Sequence, residues 1–126
     1  MSRLRPQVVG ITSVTLNHHI AEDIARTVRA VDPAVPIVMG GPHVAFETEG
    51  SFRSLGSALD YVAIGEGEHT MVELVRALEG RMDVRDVRGL AGRDPHTGKI
   101  ARGAPRPLED DLDTLPDPAR DLVPLS

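Results

Sequence analysis

Three short apolar segments, roughly 25 to 30 residues apart, constrain the fold of this chain most strongly. They are Val8–Ile11, Pro36–Met39 and Tyr61–Ile64. Each is rich in β-branched residues and lacks polar alternation, which is typical of strands buried on both faces of a parallel sheet. Helical patterns lie between and after them. This alternation of strand and helix signals predicts an α/β fold built from βαβ units.

Two stretches have the spacing of amphipathic helices. The first begins after Asn17, a residue type that often caps a helix, and ends at Asp32-Pro33. Its predicted apolar stripe consists of Ala21, Ile24, Ala25, Val28 and Val31. The second is predicted to be capped by Thr70 and ended by Gly80. Its shared apolar face consists of Met71, Leu74, Val75 and Leu78. Residues 46–59 carry a weaker pattern, which predicts a short helix with a loop.

The C-terminal part differs in character. Residues 87–93 and 99–102 flank the turn sequence Asp94-Pro95-His96-Thr97-Gly98 and predict a β-hairpin. From Ala104 onward, five prolines and an acidic cluster predict an extended segment without its own core. We therefore divide the chain into an α/β unit (residues 1–82), a hairpin (83–103) and an extended linker (104–126).

Composition excludes several classes of function. The 126 residues carry a net charge of −5 and no basic run, which argues against binding nucleic acid non-specifically. The aromatic side chains that could stack on bases are only Phe46, Phe52 and Tyr61. The absence of cysteine excludes a disulfide framework, a thiolate zinc site, a cysteine nucleophile and a cysteine-ligated iron–sulfur cluster. No apolar run has the length of a membrane helix, and the start lacks the h-region of a signal peptide, so we expect a cytoplasmic protein without membrane contact.

The predicted strand ends carry the candidate site. Ligands of open parallel sheets bind beyond the carboxyl ends of the strands, where backbone N–H groups and loops converge. The ends here offer hydroxyls, glycines, an imidazole and a carboxylate: Thr12, Ser13, Thr15, Gly40, Gly41, Pro42, His43, Gly65, Glu66 and Gly67. They match neither a dinucleotide fingerprint nor a phosphate loop, and Glu66 and Glu68 would repel phosphate. We expect a large, mostly uncharged ligand, unless the glycines serve chain reversal alone.

The histidines differ in what they predict. His18 and His19 are adjacent at a helix start, point in different directions and are expected to be solvated. His43 follows a strand end and is a candidate ligand contact, whereas His69 has a cap or turn role and His96 lies solvated in the hairpin turn. No spacing defines a catalytic triad, a carboxylate pair or a metal site, so we assign no catalytic residue and no metal ligand.

Together, these motifs resemble a known family. The segments that carry the resemblance are residues 8–13, Gly40-Gly41-Pro42-His43, residues 60–62 leading into 65–70, Gly89-Leu90-Ala91, and residues 112–125. They are similar to the cobalamin-binding domain of B12-dependent radical SAM proteins, including the anaerobic magnesium-protoporphyrin monomethyl ester cyclase type. The resemblance covers nearly the whole chain.

The resemblance implies a partial flavodoxin-like (Rossmann-like) parallel sheet with flanking helices, a C-terminal hairpin and an extended tail. It implies that Ser13 and Thr15 contact the cobalamin nucleotide tail, that Gly40 and Gly41 pass close to it, and that residues 65–67 line its far side. Corrin amides need uncharged hydrogen-bond partners, which suits these groups.

Two departures from the family pattern shape the expected role. The chain lacks the Asp-x-His-x-x-Gly motif whose histidine ligates cobalt in some members, and it lacks the Cys-x-x-x-Cys-x-x-Cys motif of the cluster that cleaves S-adenosylmethionine. We therefore expect a fragment that is not catalytic by itself. The cluster and S-adenosylmethionine would belong to the missing radical SAM domain of a methyltransferase or cyclase, which the linker would join.

A partial sheet has a physical consequence and leaves alternatives open. Exposed strand edges predict that the isolated chain is marginally stable or pairs with a second copy. A flavodoxin-like regulatory or protein-interaction domain without cofactor is the second hypothesis. A small enzyme that uses His43 and Glu66 is the third. Retention of corrin absorbance after gel filtration would separate the first hypothesis from the other two.

Overall fold

A computed structural model describes residues 4–123. Five strands form one sheet in the order β1-β2-β3-β4-β5. Their bounds are β1 Val9–Thr12, β2 Ile37–Gly40, β3 Tyr61–Ala63, β4 Leu90–Arg93 and β5 Ile100–Arg102. The first three strands are parallel, and β4 and β5 continue the sheet in antiparallel pairing. The predicted α/β, flavodoxin-like fold is confirmed, and the hairpin is part of the same sheet. Residues 1–3 and 124–126 of the predicted unit and linker, including Pro124 and Leu125, lie outside the described residues.

Four helices accompany the sheet: α1 His18–Val31, α2 Pro42–Phe46, α3 Thr48–Leu55 and α4 Glu68–Leu78. Short 3-10 turns occur at Thr15–Asn17, Gly56–Ala58, Val84–Asp86, Leu112–Thr114 and Arg120–Leu122. The region predicted as one short helix with a loop contains α3 and the end of α2. Helix α2 begins directly after β2, and Pro42 occupies its first turn, a position that favours proline. Within residues 4–123, no helix combines the length and apolar character that crossing a bilayer requires.

The sheet separates two apolar clusters. The larger one lies under α1, α2 and α3 and includes the fully buried Ile37, Met39 and Phe52. The smaller one lies under α4 and includes Val38 and Leu74. Alternate residues of β2 therefore serve opposite cores, which is why its sequence is a continuous apolar run rather than an alternating one.

The predicted apolar stripe of α1 is wrong in part. Ala21, Ala25 and Val28 face the sheet and are buried, but Ile24 and Val31 are 46% and 60% exposed. Small alanines let the helix axis approach the sheet. The helical periodicity of 100° per residue then leaves Ile24 and Val31 on a flank that nothing in the described part of the chain covers.

The start of α4 also differs from the prediction. Gly67 is the N-cap, and Thr70 lies inside the first turn, fully buried. The Thr70 hydroxyl donates to the Arg88 carbonyl oxygen at 3.0 Å, so it ties α4 to the segment before β4 instead of capping the helix. Val75 and Leu78, predicted for the buried face, are 38% and 39% exposed.

The segment after the hairpin folds back along α4. We call residues 104–109 the strap. Its first carbonyl, that of Ala104, accepts the Gly89 N–H at 2.8 Å. Arg106 reaches into the fold, where its Nε donates to Thr70 Oγ1 at 2.8 Å and its Nη2 donates to the Glu73 carboxylate and to the Arg88 carbonyl. The strap has no regular secondary structure, but Arg106 anchors it to the domain.

Candidate functional site

The carboxyl ends of β1, β2 and β3 lie along one edge of the sheet because the three strands are parallel and in register. The chain leaves β2 for the face that carries α1 to α3, and it leaves β3 for the face that carries α4. Loops that depart to opposite faces open a crevice between neighbouring strand ends, the usual ligand position in open α/β sheets. The predicted site residues all lie on this edge.

The turn after β2 packs directly on the end of β1. Ser13 N–H donates to the Gly40 carbonyl oxygen at 2.8 Å. Gly41 has φ 106° and ψ 169°, a backbone conformation that is essentially restricted to glycine. A Cβ atom at this position would also overlap the Ser13 carbonyl oxygen. Glycine at position 41 is therefore required by both conformation and space, and the structure brings Ser13, Gly40 and Gly41 together.

Ser13 is fully buried and hydrogen-bonded to His18. Its Oγ lies 2.8 Å from His18 Nδ1, and His18 Nε2 lies 3.3 Å from Glu22 Oε1. The 3-10 turn Thr15–Asn17 places the start of α1 over the end of β1 and makes these contacts possible. The expectation that His18 is solvated is wrong, since only 18% of its side chain is exposed. A Ser-x4-His-x3-Glu spacing was the only signal in the sequence.

His43 completes this cluster. Its ring centroid lies 3.8 Å from that of His18, with the two planes tilted by 33°, and its Nδ1 lies 3.3 Å from Thr15 Oγ1. We call Ser13, Thr15, His18 and His43 the hydroxyl–imidazole cluster. Three of its four members are predicted site residues. Ser13 follows β1, Thr15 lies in the 3-10 turn, and the two histidines lie in α1 and α2.

The surroundings of His18 favour its neutral form. Burial lowers the pKa of His18, and the neighbouring His43 and His19 lower it further, while Glu22 opposes the change. His18 is therefore mostly neutral at pH 7. The donors and acceptors offered at this end of the crevice are hydroxyls, imidazoles and backbone amides.

The loop after β3 forms the other side of the crevice. Gly65 has φ 83° with open space where a side chain would be, so this loop leaves room beside the strand end. Glu66 Oε2 accepts the Glu109 N–H at 2.8 Å, and His69 Nε2 lies 3.3 Å from Glu109 Oε2. Among the described residues, no hydrogen bond joins Glu66 to the hydroxyl–imidazole cluster. This carboxylate holds the strap.

The remaining predicted residues have peripheral positions. Thr12 ends β1 and is exposed, Pro42 opens α2, and Gly67 caps α4. His43 and Glu66, which the small-enzyme hypothesis pairs, have different partners. The cluster contains a serine–histidine–glutamate chain, in which the Ser13 hydroxyl is fully buried and bonded to His18.

Two cavities lie at opposite edges of the sheet. A groove of about 1060 Å³ lies at the opposite, amino-terminal edge of β3, next to Asp60 and Tyr61. Of its charged groups, Arg29 pairs with Asp60 at 2.5 Å and Arg85 pairs with Asp83. The others, Arg93 and Asp94, are hydrogen-bonded to backbone groups. A smaller pocket of about 200 Å³ lies at the carboxyl edge between Glu66 and the strap. We place the site at the carboxyl edge because the uncharged donors and the crevice occur there. Residues 4–123 contain no group of three or more acidic or histidine side chains placed to hold a metal ion.

Residues 1–75 match the family described as the B12 binding domain. This chain belongs to that family. The predicted resemblance is thereby confirmed, and cobalamin is confirmed as the cofactor that the family's description names.

The curated relatives are considerably longer proteins. An uncharacterized methyltransferase of Pyrococcus horikoshii is 36% identical over 125 residues, which is 99% of this chain and 27% of the relative. An anaerobic magnesium-protoporphyrin IX monomethyl ester cyclase of Rubrivivax gelatinosus is 32% identical over 87% of this chain and 20% of its own length. The chain thus spans about a quarter or less of these proteins.

Solved structures agree on the fold. The cobalamin-dependent S-adenosylmethionine radical enzyme OxsB, with aqua-cobalamin and S-adenosylmethionine bound, superposes with a TM-score of 0.72 at 19% identity, covering 82% of this chain and 14% of that enzyme. The radical S-adenosylmethionine methyltransferase TsrM of Kitasatospora setae, with cobalamin and a [4Fe–4S] cluster bound, gives a TM-score of 0.66 at 21% identity, covering 88% and 20%. At these identities the likeness establishes the architecture.

Proposed function

We propose that this chain binds cobalamin, with the nucleotide tail in the crevice at the carboxyl ends of β1 to β3. The observation that carries the proposal is the B12-binding family match, which spans all three strands and their terminal loops. The hydroxyl–imidazole cluster supports it because its hydroxyls and imidazole rings lie together at this edge of the sheet. Such groups suit a bulky ligand whose polar atoms are amides, hydroxyls and ring nitrogens.

Each strand end has a distinct role in this proposal. Ser13 and Thr15 supply hydroxyls to the tail. Gly40 and Gly41 pass close to the tail, and Gly65 leaves room on the far side. When bound, cobalamin supplies a cobalt centre that can carry a methyl group. The residues of this chain bind and orient the tail, and we assign none of them to cobalt.

We further propose that the chain is the cobalamin module of a radical SAM methyltransferase or cyclase. Its relatives include enzymes of both names, and they are several times longer than the chain. The sequence contains no cysteine, so a cysteine-ligated cluster would have to be held by another domain. In this arrangement, residues beyond the strap lead towards that domain. A downstream reading frame with three closely spaced cysteines would support the assignment, and a stop codon followed by unrelated sequence would oppose it.

Binding can be tested with the chain and methylcobalamin. After gel filtration we expect corrin absorbance to co-elute with the protein. Ser13→Ala and Thr15→Ala should weaken binding several-fold each, because each removes a hydrogen bond to the tail. Thr97→Ala, in the distant hairpin turn, is the matched control and should bind like the wild type.

A ligand control separates the tail from the corrin. Cobinamide lacks the nucleotide tail, so its weaker binding should be insensitive to Ser13→Ala. Equal effects of Ser13→Ala on both ligands would contradict the placement of the tail. If the folded wild-type chain retains no corrin at all, the domain without cofactor becomes the better hypothesis. The complete burial of Ser13 is the observation that favours this alternative.

A further inference from the structure

His18 already bonds to the Ser13 hydroxyl that the proposed function assigns to the ligand. The hydroxyl oxygen lies 2.8 Å from His18 Nδ1, and no part of Ser13 is exposed. A ligand that needs this hydroxyl must displace that partner. The protonation of His18 therefore determines what Ser13 can offer.

Glu22 fixes the hydrogen on the far side of the His18 ring. Burial acts to raise the pKa of Glu22, but hydrogen bonding to Ser54 and the charge of Arg26 outweigh it and lower the pKa, so Glu22 is an ionised acceptor. His18 Nε2, 3.3 Å from this carboxylate, must then carry the hydrogen. In the neutral ring Nδ1 is left with a lone pair, and Ser13 donates its hydroxyl hydrogen to it.

We propose that His18 occupies the place of the ligand at Ser13 and competes with it for the hydroxyl, an inference that rests on the proposed function. His18 presents a ring nitrogen to the Ser13 hydroxyl and a ring face to His43. The benzimidazole base of the cobalamin tail presents the same two features, an aromatic nitrogen acceptor and a flat ring. The tail can take the Ser13 hydroxyl only when His18 gives it up.

Protonation of His18 weakens this competition. A protonated ring has no lone pair on Nδ1 and cannot accept from Ser13, whereas its attraction to Glu22 increases. The titratable and charged groups facing His18 are His43 from α2, and Glu22 and His19 from its own helix, with Arg26 paired to Glu22. The pKa of His18 lies below its ordinary value of 6.5. Binding of the tail is therefore expected to tighten only when the pH falls below 6.5 and His18 begins to take up a proton.

The test measures the dissociation constant of methylcobalamin at about pH 7.5 and pH 5 in the wild type and in His18→Ala, so that titration of the benzimidazole of the ligand cancels in the comparison. His18→Ala should bind up to about five-fold tighter than the wild type at pH 7.5, the equivalent of one neutral hydrogen bond of about 1 kcal/mol. The difference between the two proteins should shrink at pH 5, because His18 of the wild type takes up a proton on acidification. His18→Phe keeps the ring against His43 but has no nitrogen, and it should behave like His18→Ala. This second variant preserves the test if the alanine variant is poorly folded.

A distant histidine provides a matched control. His96→Ala, at an exposed position in the hairpin turn, should keep the pH dependence of the wild type. A ligand-free measurement adds an independent readout: ¹⁵N signals of His18 should show the hydrogen on Nε2, and Ser13→Ala should raise the pKa of His18 by removing the donor to Nδ1. A hydrogen on Nδ1, or an unchanged pKa, would refute the competition.

The two proposals fail in different ways. Wild-type binding with the same pH profile in His18→Ala and His18→Phe would overturn this inference and leave the proposed function intact. Absence of methylcobalamin binding by the folded wild type at both pH values would overturn the proposed function, and this inference with it.

Discussion

Replacement of Gly41 by alanine tests how closely the turn after β2 packs on β1. A non-glycine residue at φ 106° and ψ 169° costs about 1–3 kcal/mol in backbone strain. Overlap of the new Cβ with the Ser13 carbonyl oxygen adds about 1–3 kcal/mol, the usual range for forcing an atom into a packed position. We expect Gly41→Ala to lower the free energy of unfolding by about 2–6 kcal/mol in total, a large part of the roughly 5–15 kcal/mol typical of a domain.

Urea unfolding followed by circular dichroism measures this loss, with Gly98→Ala as the matched control. Gly98 also has a positive φ, 70°, but open space where the Cβ would be, so only the conformational cost of about 1–2 kcal/mol applies. The comparison isolates the close approach to Ser13. If Gly41→Ala were no more destabilising than Gly98→Ala, the packing of the turn on Ser13 would be refuted.

Three further predictions concern the strap, its pH dependence and the sheet edge. Arg106→Ala should destabilise the chain by about 2–4 kcal/mol in urea unfolding, because it leaves the half-buried Glu73 carboxylate without its cationic partner. Arg85→Ala removes a pair on the surface and should leave stability nearly unchanged. Similar losses in the two variants would contradict the anchoring role. Burial acts to raise the pKa of Glu73, but hydrogen bonds from Arg106 and a backbone amide outweigh it and lower the pKa below 4.5, so this contribution to stability is present above about pH 4.5 and is lost on acidification. Urea midpoints at about pH 5.5 and 3.5 should therefore differ more in wild type than in Arg106→Ala, and parallel profiles would exclude Glu73 as the cause. Within residues 4–123 no strand pairs with the outer edge of β1, which predicts marginal stability or self-association in sedimentation and thermal melting. A monomer that melts above about 65 °C would contradict this prediction.

The strands and their ends were predictable because both depend on local sequence. Each β-branched run became a strand within one residue or so of its predicted bounds, and the glycines and hydroxyls after them mark where the sheet ends. The family resemblance depends on the same short segments. Local pattern therefore located the fold and the candidate edge together.

Contacts between helices were not predictable from periodicity. The pattern of α1 identifies apolar residues but not which flank meets another element, so Ile24 and Val31 were assigned to a core that they do not enter. Thr70 is a good capping residue in isolation, yet its hydroxyl is used by Arg88 and Arg106 from segments 18 and 36 residues away.

His18 was missed for a related reason. Its position beside another histidine at a helix start is typical of solvated residues, and its burial depends on the turn Thr15–Asn17 folding back over Ser13. The strap escaped prediction as well, because proline-rich sequence indicates extended chain but not where that chain lies.

The sheet has an apolar cluster on each of its two faces. A ligand bound at the carboxyl edge, between the helices of the two faces, would contact both faces of the sheet at once. Its binding free energy would then oppose loosening of either side, and the two layers would open together rather than one at a time.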